Sequence, residues 1–467
     1  MVETQTKKQN IFWRWSDKVE WAKRGDVFYW LPEFLDIEKA VKNGVNLQDL
    51  LIKNITYGHT PLGGKNTYTD KGILFIRSGQ LNDFFLDLAN NVYISEATHR
   101  KMQRSIIKGR DVLVATVGAT IGAVAITPEG IKEANCNQAV GILRSNEGKL
   151  NPYYLAVYLS LPYGNEQILR QSSGGARDNL DPFELKRVRI VLPSIKDQQK
   201  VEQIIKEAFR LKKEAENDYQ KCQQLLDGTL GLSGITKTLQ IAFWRWSDEI
   251  NIIARIDPNY YQNYFQELKI DRKKLKTVKL ETLALLIDYG TVPTSPDAPP
   301  EFGTPYLTGK NIQPNDLVLD KLDYLYTDTT EAIKNKAIKV GDVIITQMGT
   351  VGNAAVMGKK QERWFFGSFL IRIRPNKSIS PEWLALVINS DFGKQQIQQA
   401  MTTATVRTNT DLPTIKGLEI PIIDKKKENE IVNLYIQSRE KKALSKQKLQ
   451  EAKKLVENLI KKSKNQR

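Results

Sequence analysis

From Lys196 to Leu230 the chain contains no proline, and Val201, Ile204, Ala208, Leu211, Ala215, Cys222 and Leu225 fall near heptad spacing in a polar stretch. That pattern predicts one helix with a single apolar seam, on the order of 50 Å long at about 1.5 Å per residue. Leu192-Pro193 halts the preceding strand, and Ser194 or Asp197 can cap the helix. A second such helix opens after Ile420-Pro421 and runs from about Lys425 to Lys461, with Ile431, Leu434, Leu449, Ala452, Leu455, Val456 and Leu459 as its seam. Between Ser438 and Lys448 that seam is poor in apolar residues. Two stripes of this length can bury each other, so an antiparallel pair between two globular parts is the economical arrangement. The alternative is that each helix packs on its own domain.

The rest reads as many short strands with a few helices. Asp111-Val112-Leu113-Val114-Ala115 and Asp342-Val343-Ile344-Ile345-Thr346 are strand-like runs. Each leads through a glycine-bracketed turn into a second strand, Ala123 to Ile126 and Asn353 to Val356. Ala139 to Arg144 and Phe369 to Arg374 supply another strand pair. Asn151-Pro152 and Ser380-Pro381 are helix starts, with a capping side chain followed by proline.

These parallels belong to a repeat. Phe12-Trp13-Arg14-Trp15-Ser16-Asp17 returns as Phe243-Trp244-Arg245-Trp246-Ser247-Asp248, and Tyr57-Gly58-His59-Thr60-Pro61 as Tyr289-Gly290-Thr291-Val292-Pro293. Gly109-Arg110-Asp111-Val112 answers to Gly341-Asp342-Val343, with Arg110 as an inserted residue. The offset of roughly 230 residues is far beyond a solenoid period. The expected fold is therefore an α/β (α+β) tandem duplication on a pseudo-two-fold plan. Residues 1–193 and 237–421 form the globular domains, and residues 194–236 and 422–467 the long helices, with Gly228 to Gly234 as a flexible hinge.

The 467 residues are ordinary in apolar content (41%) and charged content (26%), but the net charge is +16. Such an excess points to a polyanionic partner, bound with release of counterions. No run of 18 apolar residues, signal-peptide core or lipidation signal is present, so the expected location is the cytoplasm and no membrane contact is expected. Two cysteines, Cys136 and Cys222, make no disulfide framework.

Catalytic material is sparse. With only His59 and His99, a histidine-based metal site or triad has almost nothing to draw on. Gly118-Ala119-Thr120-Ile121-Gly122 lacks the lysine and hydroxyl of a phosphate loop and reads as a hairpin. Binding candidates are better. Two long polar loops occupy equivalent positions, one with His59, Thr60, Lys65 and Asn66, the other with Thr291, Thr294 and Ser295. After them come Arg77-Ser78-Gly79-Gln80 and Thr308-Gly309-Lys310-Asn311. Arginine suits guanine and Asn or Gln suits adenine through paired hydrogen bonds, so Arg77, Gln80, Thr308, Lys310 and Asn311 are candidate base readers. A third pair, around Arg177 with Asn179 and Arg407 with Asn409, offers backbone N–H groups and a cation to phosphates. Trp13-Arg14-Trp15 and its twin can stack on bases, but read better as aromatic core anchors.

Gly-Arg-Asp-Val-Leu-Val with Gly-Ala-Thr-Ile-Gly from Gly109, Asn137-Gln138 before a strand, and Leu192-Pro193 followed by Asp197-Gln198-Gln199 at the helix start together resemble the specificity subunits (HsdS) of type I restriction–modification systems. The second copy departs at Pro421-Ile422-Ile423-Asp424, which lacks the paired glutamines, and at Phe366-Gly367-Ser368. The resemblance implies two target-recognition domains, each reading one half of a bipartite, asymmetric double-stranded DNA target. It implies a coiled-coil spacer that measures the unread gap, suiting half-sites about one helical turn or more apart. It further implies two methyltransferase subunits carrying S-adenosylmethionine, restriction subunits using ATP and Mg where the system has them, and no cofactor or chemistry in this chain. The competing readings are a self-sufficient DNA methyltransferase or nuclease, and a scaffold indifferent to DNA sequence.

Overall fold

The structure is a computed structural model, and it describes residues 28–82, 84–88, 91–171, 180, 182–232, 244–250, 261, 275–292, 297–326, 335–400 and 409–465. The chain divides into two compact units, Met1–Lys213 with Lys442–Arg467, and Glu214–Lys441.

In the first unit the strands, in chain order, are β1 (Val45–Asn46), β2 (Thr56–Tyr57), β3 (Tyr68–Thr69), β4 (Ile73–Ile76), β5 (Leu81–Asn82) and β6 (Phe85–Leu86). They continue with β7 (Val92–Ile94), β8 (Val112–Ala115), β9 (Val124–Ile126), β10 (Asn135–Cys136), β11 (Val140–Leu143) and β12 (Arg189–Ile190). One sheet has the order β2-β11-β8-β9 and is antiparallel throughout; a second has the order β10-β4-β7-β3. Side chains alternate along a strand, so the first sheet is apolar on both faces. Val112, Val114, Val124 and Ile126 pack into the core shared with the helix Pro152–Ser160. Leu113, Ala115, Ala125 and Ile142 pack into a smaller core with Ile76 of β4 and Cys136 of β10. This is why Val112 to Ala115 reads as an unbroken apolar run rather than an alternation. The β1–β12 pair joins the two ends of the globular part, with Val45 opposite Ile190.

The second unit repeats the plan. Its strands are β13 (Thr277–Lys279), β14 (Ala284–Tyr289), β15 (Gly303–Leu307), β16 (Ile312–Gln313), β17 (Asp316–Leu317) and β18 (Asp323–Tyr326). Then come β19 (Val343–Thr346), β20 (Ala354–Val356), β21 (Phe365–Phe366), β22 (Leu370–Pro375) and β23 (Glu419–Pro421). The sheet β14-β22-β19-β20 answers to β2-β11-β8-β9, and β18-β15-β21 to the second sheet. The β13–β23 pair closes the ends as β1–β12 does. Both predicted caps form: Asn151 accepts from Tyr153 and Tyr154 N–H, and Ser380 from Trp383 N–H.

The two long helices are Ile195–Leu230 and Lys425–Asn465. Ser194 caps the first, its hydroxyl accepting from Asp197 N–H at 3.2 Å. Asp424 does the same for the second, accepting from Lys426 and Lys427 N–H. The hinge expected from Gly228 does not start there, and Ser233 and Gly234 lie outside the described residues. Gly228 and Leu230 are still helical, Gly231 turns left-handed at φ 71°, and Leu232 N–H returns to Asp227 O at 2.8 Å, a Schellman closure.

Within each unit the helix segments pair antiparallel. In the second, Ser438 donates to Ala215 O at 2.7 Å, and seven residues further along the first helix the Cys222 thiol meets Ile431 O. In the first, Ser445 donates to Ala208 O at 2.8 Å, and Val201, Ile205 and Ala208 share a core with Leu449, Ala452, Val456 and Ile460. The weak middle of the second seam is thus filled by two buried serines facing alanines. Small residues bring the backbones close enough for each hydroxyl to be satisfied on the opposite helix.

Arg110 proves not to be an insertion. Its N–H donates to Thr127 O, as Gly341 N–H donates to Met357 O, so the two residues occupy the same place. Both are left-handed, at φ 71° and 86°. The tryptophans of the second copy are not core anchors either: Trp244 is 95% exposed and Trp246 76%. Trp13-Arg14-Trp15 lies outside the described residues.

Candidate nucleic-acid interface

In the first unit the crossover from β10 into β11, Asn137 to Ala139, gathers the ends of several segments. His59 N–H donates to Cys136 O at 3.0 Å and Gly58 N–H to Val140 O at 3.0 Å, which holds the first polar loop. Asn137 N–H donates to Ile76 O at 3.0 Å, placing Arg77 beside it. Thr116 N–H donates to Ala139 O, and Leu180 N–H to Thr116 O, both at 2.9 Å. The loop at His59, the turn at Arg77, the end of β8 and Leu180 therefore share one sheet edge. A Cβ at Gly58 would stand 1.9 Å from Asn137 O, so the backbones can approach this closely only with glycine there.

The second unit builds the same edge. Gly290 N–H donates to Leu370 O, Thr291 N–H to Phe366 O, Gly367 N–H to Leu307 O and Gln347 N–H to Phe369 O. Thr410 N–H donates to Gln347 O, and Asn409 bridges Met348. A Cβ at Gly290 would meet Gly367 O at 2.2 Å, so the Tyr-Gly pair has one physical meaning in both copies.

The expected site residues separate on this frame. His59 and Asn409 are exposed, while Thr60, Arg77, Thr291 and Thr308 are half-buried at the edge. Lys310 is exposed and pairs with Asp323 at 2.8 Å, a surface pair that solvent screens. Lys65 and Asn66 lie in the helical turn Gly64–Thr67. Arg177, Asn179, Thr294, Ser295 and Arg407 lie outside the described residues.

Gln80 and Asn311 need correction. Gln80 is 6% exposed and Asn311 1%, and their amides are already engaged. Gln80 accepts from Arg77 N–H at 2.9 Å and donates to Asp87 O at 3.0 Å. Asn311 accepts from Thr308 N–H at 2.9 Å and donates to Val318 O at 2.9 Å and Lys321 O at 3.1 Å. An amide so committed closes a turn and has no face left for a base. The chemistry that suits an amide to adenine is here spent on the backbone.

Residues that sequence reasoning passed over stand at the same edge. Gln138 is exposed, and Ser368 and Phe369 take the matching place in the second unit, Phe369 at 57% exposure. Asn137-Gln138 is visible in the sequence as a motif before a strand, but only the pairing of β10 with β4 brings it beside Arg77. Among the described residues no group of three or more His, Cys, Asp or Glu is placed to hold a metal ion. His99 is buried between Glu133 and Asn135. No helix among the described residues is long and apolar enough to cross a membrane.

A duplicated α/β domain with a polar edge on each copy, closed by long helices, is the architecture of a type I restriction modification DNA specificity domain pair. That family's model matches residues 45–222 and 272–454, and the chain belongs to the family. The Type I restriction enzyme EcoBI specificity subunit of Escherichia coli is 31% identical over 163 residues, which cover 34% of this chain and 34% of that protein. The match spans only about a third of that relative's length. The crystal structure of the type I restriction-modification system S subunit from M. genitalium shares the fold, with a TM-score of 0.50 over 90% of this chain and 95% of that one at 13% identity.

Proposed function

We propose that the chain is the DNA-reading subunit of a type I restriction–modification complex, and that each unit reads one half of a split, asymmetric target. The observation that carries this is the sheet edge built twice on the same backbone with different side chains. His59, Arg77 and Gln138 stand where the second unit has Thr291, Thr308 and Ser368. One backbone with two side-chain sets suits two half-sites of different sequence. Half-buried and exposed polar groups at the edge supply direct readout, and in this proposal Lys65, Asn66, Arg177, Asn179, Thr294, Ser295, Arg407, Asn409 and Lys310 supply phosphate or base contacts. The domain limits we assign are 1–193 and 237–421 for reading, with 194–236 and 422–467 as spacer.

In this reading the chain performs no chemistry. Two methyltransferase subunits dock on it and supply S-adenosylmethionine, and restriction subunits with ATP and Mg join where present, all in the cytoplasm. The net charge of +16 supports a phosphate-bearing partner. Selection from random duplex DNA with the methyltransferase subunits present should enrich a split motif. A contiguous or palindromic motif would refute the reading. Methyl transfer from S-adenosylmethionine by the purified chain alone should be absent, and its presence would favour the self-sufficient enzyme. Binding insensitive to sequence would favour the scaffold.

A further inference from the structure

In both units the turn at the candidate DNA edge runs directly into a small hairpin, β5–β6 after Gln80 and β16–β17 after Asn311. Main chain and buried amides together fasten turn to hairpin: Asp87 N–H donates back to Gln80 O at 2.7 Å and Val318 N–H to Asn311 O at 2.9 Å, while the Gln80 and Asn311 side chains donate to Asp87 O and Val318 O. Each hairpin carries a non-glycine residue in the left-handed region, Phe84 at φ 75° and Asn315 at φ 59°. Each of these is also tied to the neighbouring strand, by Phe84 N–H to Val124 O and by Asn315 N–H to Ala354 O. A left-handed conformation is ordinary for asparagine and costs phenylalanine about 1–3 kcal/mol.

The two tips meet the long helices by different chemistry. Phe84 is fully buried with Lys453 over its ring at 5.1 Å, while Phe85 packs on Phe209 at 4.6 Å between centroids. These contacts are weakly directional. Asn315, 7% exposed, is held by hydrogen bonds from several directions. It donates to Tyr219 Oη at 3.1 Å on the first long helix and accepts at its carbonyl from Tyr435 Oη at 2.9 Å on the second. Its Oδ1 accepts from Asn389 at 2.8 Å, on the helix that lines the sheet. A tyrosine hydroxyl is a donor at neutral pH, and burial pushes that of Tyr435 further up, to about 12. Buried, directional bonds to separate elements specify one orientation, because any rotation leaves a buried group unpaired.

We infer that Asn315 is a positioning residue: its hydrogen bonds fix the angle at which the second reading domain stands on its end of the helix pair, and so set how strictly the complex holds to one gap between half-sites. This rests on the bipartite reading above. One base pair more or less in the gap rotates a half-site by about a tenth of a turn, which an angularly fixed domain cannot follow.

The test uses the full chain in complex with its methyltransferase subunits. After the split motif has been selected, binding is measured on duplexes with the selected gap and with gaps one base pair shorter and longer. Wild type should prefer the selected gap by about tenfold or more, the size of one misread base pair. Asn315→Gly keeps the left-handed backbone and removes the amide, and Tyr219→Phe removes one acceptor. Both should reduce the preference to within about threefold while leaving the base preference of each half-site unchanged. Asn315→Asp, which retains Oδ1, should recover part of it, and Phe84→Leu in the first unit should leave it near the wild-type value. If Asn315→Gly and Tyr219→Phe read the gap as strictly as wild type, the inference falls and the bipartite reading stands. If selection yields no split motif, both fall together.

Discussion

The two units hold the root of a long helix to the same backbone in different ways. In the first, Arg110 sits left-handed and reaches Glu129 at 2.7 Å, Glu147 at 2.9 Å and Glu202 at 2.8 Å, the last on the helix itself. Lys206 closes the ring on Glu129 and Glu202, and Asn151 donates to Glu202. In the second, Gly341 takes the place of Arg110, and the helix root is held by Glu428, which accepts from Ser380 at 3.2 Å and Lys425 at 2.6 Å. Charge is buried elsewhere instead: Arg372, 1% exposed, pairs with Asp288 inside the sheet β14-β22, where the first unit has Ile142 and Thr56. What both units keep is the bidentate pair behind the β8 and β19 strands, Arg144 with Asp111 and Arg374 with Asp342. Duplication has preserved the backbone and redistributed the polar groups that secure it. A shared fold therefore does not carry over which side chains secure a joint.

That contrast can be broken experimentally. The largest effect should come from the first unit's hairpin: Phe84→Ala empties a buried aromatic site and leaves the left-handed φ strained, costing about 4 kcal/mol. Hydrogen exchange across the first unit should show the loss, and protection retained there would deny Phe84 its role. Next, Arg110→Met strands partly buried carboxylates and should cost about 3 kcal/mol, whereas Lys425→Met at the second root removes an exposed partner and should cost about 0.5 kcal/mol. Equal losses in a denaturant titration would erase the difference between the roots.

Acid should act through the first root. Burial pulls the Glu202 carboxyl upward, but hydrogen bonds from Arg110, Lys206 and Asn151 outweigh it and hold it down to about 2. A carboxyl held below its ordinary range contributes stability that is complete above that range and is lost as pH falls toward its folded value. Wild type should therefore lose stability between about pH 5 and pH 2 more steeply than Glu202→Gln, read as the denaturation midpoint at each pH. Parallel profiles would remove Glu202 from the account. The smallest effect serves as a control. Ser438→Ala and Ser445→Ala each delete one interhelical hydrogen bond of the same kind and should cost about 1 kcal/mol apiece, equal within error.

Much of this architecture is legible in the chain itself. Periodicity, proline and capping side chains are local signals, and they reveal the duplication, both long helices, the Asn151 and Ser380 caps and the apolar runs of β8 and β19. The family follows from the same motifs. What local signals do not carry is which side chains the fold occupies and which it exposes. Gln80 and Asn311 have the right chemistry for a base, yet both are buried and their amides close on backbone groups of the same turn and hairpin. Trp244 and Trp246 have the composition of core anchors, yet they are exposed. Arg110 reads as an insertion along the chain, yet its hydrogen bond to Thr127 stands it in the place of Gly341.

The sequence by itself determined that there are two copies, which segments are helix or strand, and which faces are apolar, because these depend on neighbours within a few residues. Tertiary structure alone decided that Arg110 meets Glu202 across 92 residues and that Asn315 meets Tyr435 across 120. It also decided which polar side chains remain exposed at the sheet edge of each unit. The physical reason is that a polar group's role is set by whichever partner satisfies it first, and folding brings that partner from far along the chain.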